Sequence, residues 1–235
     1  MSLAAAASQP GVYAGLYTRD DLRRAMASDQ FSRLLDAQLP RPAHVLEIGC
    51  GAGRLVNFLG LSWGRRVTGV DRVTDRLGEA EAWRSRLAVG NAAFVAADAS
   101  AMPFADACFD VVIAGGATDP AVGFSALARL VKPGGYLAAR FEQRFRRRLF
   151  PARRAADGAA SNRPALHAML SQLAAAGLEF TAALPAIGDQ ETPADMPLFV
   201  PQPAAGKAAC LATEVDLLFG GGYEGRCIVV GRRWN

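Results

Sequence analysis

The chain has 235 residues, of which 51% are hydrophobic and 20% charged, so it can bury a full core and is not a disordered chain. Its formal net charge of +4 comes almost entirely from arginine, because Lys132 and Lys207 are the only lysines. In a sequence rich in alanine, glycine and proline this indicates a compositional bias, and a surface for nucleic acid is not expected.

The cysteines and histidines do not have the spacing that is typical of metal sites or disulfide frameworks. Four cysteines occur without a Cys-x-x-Cys pair, and His44 and His167 have no ligand partners nearby in the sequence. Neither a zinc site nor a disulfide framework is therefore expected. The N-terminus carries no basic and apolar leader, and no run of about 18 apolar residues follows, so we expect a cytoplasmic protein without a membrane-spanning segment.

The periodic pattern begins with apolar residues at helical spacing over 20–39, and we predict that residues 1–40 form an N-terminal helical cover. Short apolar segments with strand character then alternate with helical patterns. The predicted strands are 43–48, 66–70, 92–96, 109–114 and 134–140, and the predicted helices are 54–61, 76–87 and 122–131. This alternation is typical of an α/β fold in which helical crossovers join parallel strands.

The last third of the chain differs in character. A basic run, "QRFRRRLFPARR", follows Phe141 and precedes a predicted helix. A proline-rich segment separates two further strands from each other, and a helix that ends before Gly220 precedes the second of them. These predicted elements are the helix 164–175, the strand 178–184 and the strand 225–232.

The segment "EIGCGAGR", residues 47–54, follows the first predicted strand and carries three glycines at alternating positions. Gly49, Gly51 and Gly53 allow positive φ and let a ligand approach the main chain without meeting a Cβ. The G-x-G-x-x-G pattern of dinucleotide enzymes is not matched, because Arg54 stands where its third glycine would be. Glu47 instead completes E-x-G-x-G-x-G, and its carboxylate suits a cationic group on the ligand.

Two further acids follow later strands at positions that suit a nucleoside. Asp71 ends the second predicted strand, 22 residues after Gly49, where a carboxylate can accept hydrogen bonds from both ribose hydroxyls. Asp98 and Ala99 follow the third strand, and the segment continues with "MPF" before the fourth strand. A single acid at a strand end is as often a turn residue, but the ordered set favours a ligand site.

These motifs, together with the helix, turn and strand of "LARLVKPGGYLAARF", resemble the class I S-adenosylmethionine-dependent methyltransferase family over about residues 42–141. The resemblance implies a Rossmann-like, doubly wound sheet of seven strands, mostly parallel with one antiparallel edge strand. It also implies a methyltransferase domain over 41–235, with acceptor-side insertions at about 142–220.

The cofactor that the resemblance implies is S-adenosylmethionine, with Asp98 and Ala99 reading the adenine, and no metal is expected. The cofactor-binding residues that it implies are Tyr17, Glu47, Gly49, Cys50, Gly51, Gly53, Asp71, Arg72, Asp98, Ala99 and Ala114.

The methyl acceptor is defined less well by the sequence. Asp119 and Glu142, after the fourth and fifth predicted strands, are the candidate catalytic residues; a turn at Asp119 and a solvated Glu142 are the alternatives. Tyr13 and Tyr17 would share one helix face and either close over the cofactor or pack on the sheet edge. The six arginines within 144–154 form either an exposed or oligomeric surface, which leaves a homodimer open, or a site for an anionic acceptor.

We therefore expect methylation of a small molecule, in specialised metabolism, by in-line transfer that depends mainly on positioning. Two alternatives remain open at this point. One is an RNA or protein methyltransferase, and the other is a protein that binds a nucleotide cofactor without methyl transfer.

Overall fold

The computed structural model describes residues 18–26, 44–63, 66–114, 123–144, 166–186 and 224–234. The chain divides into two compact units, Met1–Pro103 and Phe104–Asn235. The described helices are α1 (Arg19–Met26), α2 (Arg54–Trp63), α3 (Thr74–Arg86), α4 (Phe124–Ala128) and α5 (Leu166–Ala175). The described strands are β1 (His44–Ile48), β2 (Arg66–Asp71), β3 (Ala92–Ala96), β4 (Phe109–Ala114), β5 (Val131–Arg144), β6 (Leu178–Ala186) and β7 (Glu224–Arg233).

Within the described segments, hydrogen bonds order seven strands as β3-β2-β1-β4-β5-β7-β6. The pairs β1–β2, β2–β3 and β4–β5 are parallel, whereas β7 runs antiparallel to both β5 and β6. The predicted Rossmann-like α/β sheet is confirmed. The antiparallel strand β7 lies one place in from the edge, which β6 forms.

The first unit is built on the parallel strands β1, β2 and β3. Val45 and Leu46 in β1 and Val67 in β2 are fully buried, as continuous apolar runs are in a sheet with both faces covered. The buried amide of Asn57 in α2 donates from Nδ2 to the Ala80 carbonyl in α3 at 3.3 Å, which ties the two helices together.

Helix α1 begins where Thr18 and Asp21 cap each other. The Asp21 amide donates to Thr18 Oγ1 at 3.1 Å, and the Thr18 amide donates to Asp21 Oδ2 at 2.9 Å. Leu22 and Met26 are buried on the side of α1 that contacts α2. The predicted helical pattern is therefore confirmed over 19–26, and its continuation to residue 39 lies outside the described residues.

The position of α1 is fixed by Arg19, which donates from Nε to the Leu87 carbonyl at 2.6 Å and from Nη2 to the Ala88 carbonyl at 2.7 Å. These carbonyls follow the C-terminus of α3, where the chain turns into the amino end of β3. The start of α1 thus lies near the amino end of β3, at the opposite end of the sheet from the carboxyl ends of the strands. A helical cover over those carboxyl ends remains a prediction.

Strand β5 is longer than the predicted 134–140. Phe109 in β4 pairs with Val131, but Val111 pairs with Tyr136, so the Lys-Pro-Gly-Gly segment forms a bulge inside the strand. A Cβ on Gly135 would lie 2.7 Å from the Asp110 carbonyl oxygen, so glycine is required there by close backbone approach. The strand also continues to Arg144 because β7 pairs with it along that stretch.

The end of the chain completes the sheet of the second unit. The predicted strands 178–184 and 225–232 are confirmed as β6 and β7. Arg233 anchors the end of β7, because its Nη1 donates to the carbonyls of Ala128, Arg129 and Val131 at 3.1, 3.2 and 2.5 Å. In the part of the chain that the structure describes, no helix is long and apolar enough to cross a membrane.

Candidate active site

The glycine-rich segment forms a turn between β1 and α2. Gly49, Gly51 and Gly53 have positive φ values of 72°, 54° and 73°, as the sequence pattern predicts. The amides of Gly49 and Cys50 both donate to the Val70 carbonyl, at 2.8 and 3.0 Å. The turn is therefore held against the carboxyl end of β2.

Gly51 and Gly53 face different surroundings. A Cβ on Gly53 would lie 2.5 Å from the Phe94 ring and 2.8 Å from the Ala80 Cβ, so this glycine allows close packing of α2 and α3 on the sheet. Among the described residues other than its chain neighbours, a Cβ on Gly51 would meet one atom within 4 Å, Nη1 of Arg76 at 3.8 Å. Gly51 is therefore the glycine whose missing side chain leaves room for a ligand.

Asp71 links the second strand to the glycine turn. Its Oδ2 accepts a hydrogen bond from the Gly51 amide at 2.8 Å, and its Oδ1 accepts one from the Val73 amide at 2.9 Å. A carboxylate has about four acceptor positions, so both oxygens can still accept from hydroxyl groups of a ligand. Asp71 both shapes the turn and offers acceptors beside it.

Glu47 and Cys50 lie beneath the turn. The Glu47 side chain, at 7% exposed, is among the few buried charged groups of the described residues. Burial, and then the negative charges of Glu47 and Asp71, raise the pKa of the Cys50 thiol far above its usual range. A Cβ on Gly69 would lie 2.9 Å from the Cys50 sulfur, so the thiol is a neutral packing group. Any ligand contact of Cys50 would come from its main chain.

Asp98 stands beyond the carboxyl end of β3. Its Oδ1 accepts hydrogen bonds from the amide and hydroxyl of Ser100, at 2.8 and 2.6 Å. These bonds, and the charge of Arg72, lower the pKa of the Asp98 carboxyl, which is therefore an anion at neutral pH. The neighbouring Ala99 is half-buried and Met102 is buried.

The parallel register brings these groups together at the carboxyl ends of the three strands of the first unit. Ile48 of β1 pairs with Val70 of β2, and Asp71 pairs with Ala96 of β3, so the three strands end level with one another. The edge therefore combines an open glycine turn with carboxylates that can accept from hydroxyl and amino groups. The predicted residues that the structure brings together there are Glu47, Gly49, Cys50, Gly51, Gly53, Asp71, Arg72, Asp98 and Ala99.

Arg76 was not among the predicted site residues, and its guanidinium lies beside Gly51. Its signal was a basic side chain in the first turn of the helix that follows Asp71. Among the described residues, no group of three or more His, Cys, Asp and Glu side chains could hold a metal ion.

The predicted acceptor-side residues are placed only in part. Ala114 is the fully buried last residue of β4, in the second unit. Glu142 was predicted to follow the fifth strand, and that position is wrong: it lies within β5 and pairs with Arg226 of β7, because β5 continues to Arg144. The remaining candidates lie outside the described residues: Tyr13, Tyr17, Asp119, Arg146, Arg147, Arg148, Arg153 and Arg154.

Comparison with known proteins finds methyltransferases that are similar to this chain. Residues 45–135 match the family model of a methyltransferase domain. The O-methyltransferase resE of Aspergillus sclerotiorum is 30% identical over 120 residues, which are 48% of this chain and 46% of that protein. The malonyl-[acyl-carrier protein] O-methyltransferase of Pseudescherichia vulneris is 36% identical over 123 residues, 48% of this chain and 45% of that protein. This chain therefore covers just under half the length of either relative.

Solved structures share the fold at low sequence identity. The [4+2]-cyclase SpnF matches with a TM-score of 0.60 and 17% identity over 88% of this chain and 81% of that one. A SAM-dependent methyltransferase from Aquifex aeolicus matches with a TM-score of 0.56 and 14% identity over 92% and 98% of the two chains. The matched domain and the sheet agree with the resemblance of residues 42–141 to the class I S-adenosylmethionine-dependent methyltransferases.

Proposed function

We propose that the chain binds S-adenosylmethionine at the carboxyl edge of β1, β2 and β3 and transfers its methyl group to a small molecule. The observation that carries the proposal is the bond between the Gly51 amide and the Asp71 carboxylate. This hydrogen bond holds a carboxylate beside a turn that has room for a ligand. A ribose that lies next to exposed main chain needs such a carboxylate as its hydrogen-bond acceptor.

The described residues fit the parts of this cofactor. Asp71 would accept from the ribose hydroxyls, for which its two oxygens keep free acceptor positions. Asp98 would accept from the adenine amino group, since among the described residues none donates to its Oδ2. The buried carboxylate of Glu47 would attract the cationic, amino-acid end. Contacts from Tyr17, Arg72 and Ala114 stay predictions.

Methyl transfer would require the protein mainly to position the donor and the acceptor. When bound, S-adenosylmethionine supplies a methyl group activated by a positively charged sulfur. The turn at Gly49–Gly53 and the carboxylates of Asp71 and Asp98 would hold the methyl donor in a fixed orientation. Fixed orientation of two reactants lowers the activation barrier substantially. Asp119 and Glu142 are the candidates to take a proton from the acceptor, and both roles stay predictions.

We propose an oxygen atom as the methyl acceptor. The support is that both relatives are named O-methyltransferases, and that one of them is named for a malonyl group on a carrier protein. The arginines within 144–154 would favour an acceptor with a negative charge. Small hydroxylated acids and malonyl thioesters are therefore the first substrates to test.

Two other functions compete with this proposal. An RNA or protein methyltransferase would bind its macromolecule with an affinity that falls steeply as salt rises, at least for RNA. A protein without methyl transfer is the second competitor, because a fold does not fix an activity and SpnF, which shares this fold, is named a cyclase.

A methyl-transfer assay separates these functions. The protein is incubated with S-adenosylmethionine carrying a labelled methyl group and with hydroxylated acids, malonyl thioesters, RNA or unrelated protein in separate reactions. The proposal predicts labelled small-molecule product and an equal amount of S-adenosylhomocysteine, both reduced in Asp71→Ala at low cofactor concentration. Label appearing only in RNA or protein, or cofactor binding without label transfer to any acceptor, would favour a competitor.

A further inference from the structure

Arg76 places an exposed positive charge beside the glycine turn. Its Nη1 is 3.8 Å from the position of a Cβ on Gly51, and in the described segments no other atom outside the chain neighbours comes within 4 Å of that position. The side chain is exposed, and among the described residues no hydrogen bond or ion pair to it is found. The guanidinium therefore borders the space that the missing Gly51 side chain leaves.

The location of Arg76 is unfavourable for the helix that carries it. It lies in the first turn of α3, where the positive end of the helix dipole repels a cation. The other described arginines of α3 have partners: Arg84 pairs with Glu81 at 2.6 Å, and Arg86 lies 4.8 Å from the centre of the Trp83 ring. Asp75 in the same turn offsets part of this cost, but among the described residues no hydrogen bond or ion pair holds the Arg76 side chain, so Arg76 is a candidate for a functional role.

We infer that Arg76 sets the relative affinity of this site for S-adenosylmethionine and for its demethylated product. This inference rests on the proposed function. Methyl transfer breaks the bond from sulfur to methyl and leaves the electron pair on sulfur, so the cofactor loses its sulfonium charge. The donor carries a net charge of about +1 and the product is neutral overall, because the ammonium and carboxylate of the amino-acid end cancel.

A cation beside the turn repels the positively charged donor more than the neutral product. Two unit charges about 7 Å apart in a water-like dielectric repel enough to change an affinity about threefold. Arg76 would therefore weaken donor binding relative to product binding and make the enzyme sensitive to inhibition by its own product. The carboxylates of Glu47 and Asp71 act in the opposite sense and are unchanged when Arg76 is replaced.

The test compares two equilibrium constants in four proteins. S-adenosylmethionine and S-adenosylhomocysteine are titrated by calorimetry, at low salt, into the wild type, Arg76→Met, Arg76→Lys and Arg86→Met. Arg86 is the matched control, because it lies ten residues further along the same helix, about 15 Å away, and its replacement removes the same charge. Arg76→Lys keeps the charge and controls for the shape of the side chain.

The expected result is a donor-to-product affinity ratio about threefold higher in Arg76→Met, with the wild-type ratio kept in Arg76→Lys and Arg86→Met. The difference should shrink in about 0.5 M salt, because the screening length falls to a few ångströms. An unchanged ratio in Arg76→Met, or an equal change in Arg86→Met, would overturn the inference alone. A wild-type protein that binds neither ligand would overturn the proposed function and, with it, the inference.

Discussion

At the scale of single residues, the glycines of one motif have different physical tasks. Gly51 and Gly53 share positive φ, yet a side chain at Gly53 would enter the Phe94 ring, whereas a Cβ at Gly51 would make an ordinary contact with Arg76 Nη1 at 3.8 Å. The sequence shows three equivalent glycines. Only the packing of β3 and α3 against the turn separates the one that permits folding from the one that leaves room for a ligand.

This difference predicts unequal effects of alanine at the two positions. Gly53→Ala should lower the free energy of unfolding by about 2 to 5 kcal/mol, because a left-handed backbone and an overpacked contact add up. Gly51→Ala should cost only about 1 to 2 kcal/mol, the backbone part alone. Urea denaturation of both variants measures the two losses, and equal losses would contradict the packing role given to Gly53.

Removal of the Asp71 carboxylate should lower both the stability of the fold and the affinity for the ligand. Because it accepts from the amides of Gly51 and Val73, Asp71→Ala should lower the free energy of unfolding by about 1 to 3 kcal/mol without any ligand. It should also weaken S-adenosylhomocysteine binding by about 1 to 3 kcal/mol, measured by calorimetry on the folded fraction. Full affinity in this variant would refute the ribose assignment.

The Cys50 thiol should be unreactive. Burial and the nearby carboxylates raise its pKa, so the thiol form persists as pH rises and the reactive thiolate stays scarce at pH 8. Treatment of the folded protein with iodoacetamide, followed by peptide mass spectrometry, should label the half-buried Cys108 before Cys50. Labelling of Cys50 at the same rate as Cys108 would show that the thiol is accessible and ionised.

At the scale of elements, α1 is anchored far from the carboxyl ends of β1, β2 and β3. Arg19 binds carbonyls after α3, at the amino end of β3. Arg19→Met should therefore speed hydrogen exchange of residues 19–26, equivalent to about 1 kcal/mol, and leave S-adenosylhomocysteine affinity unchanged. Arg23→Met, whose side chain pairs with the exposed Asp20, is the control that should change neither. A loss of affinity in Arg19→Met alone would instead support a cover role for α1.

Strand β5 shows how pairing overrides local sequence signals. The Lys-Pro-Gly-Gly segment reads as a turn, and the strand was therefore predicted to start at residue 134 and to stop at 140. In the sheet the segment is a bulge, and β7 extends the strand to Arg144. Glu142 lies three residues beyond Ala139, the last β5 residue paired with β4, so it stands about 10 Å further along the strand.

At the scale of the whole molecule, the sequence predicts the Rossmann-like sheet and the bounds of its first four strands closely, and the ligand site at the strand ends stays a prediction. Alternation of apolar strands and helices determines a parallel sheet, and the order of Glu47, Asp71 and Asp98 identifies the strands that end at one edge. The guanidinium of Arg76 was not predicted, because its contact with Gly51 depends on the angle at which α3 leaves β2. The acceptor site was not predicted in detail either, since methyl transfer requires no fixed set of catalytic residues.

The most direct test of the account is calorimetric titration of S-adenosylhomocysteine into the wild type and into Gly51→Val, with NAD as the comparison ligand. The account predicts that S-adenosylhomocysteine binds the wild type, that NAD does not, and that Gly51→Val keeps its circular dichroism spectrum but loses binding. The reason is that a β-branched side chain fills the space at Gly51 and resists positive φ. Wild-type protein that ignores S-adenosylhomocysteine, or a folded Gly51→Val that binds it normally, would contradict the central claim.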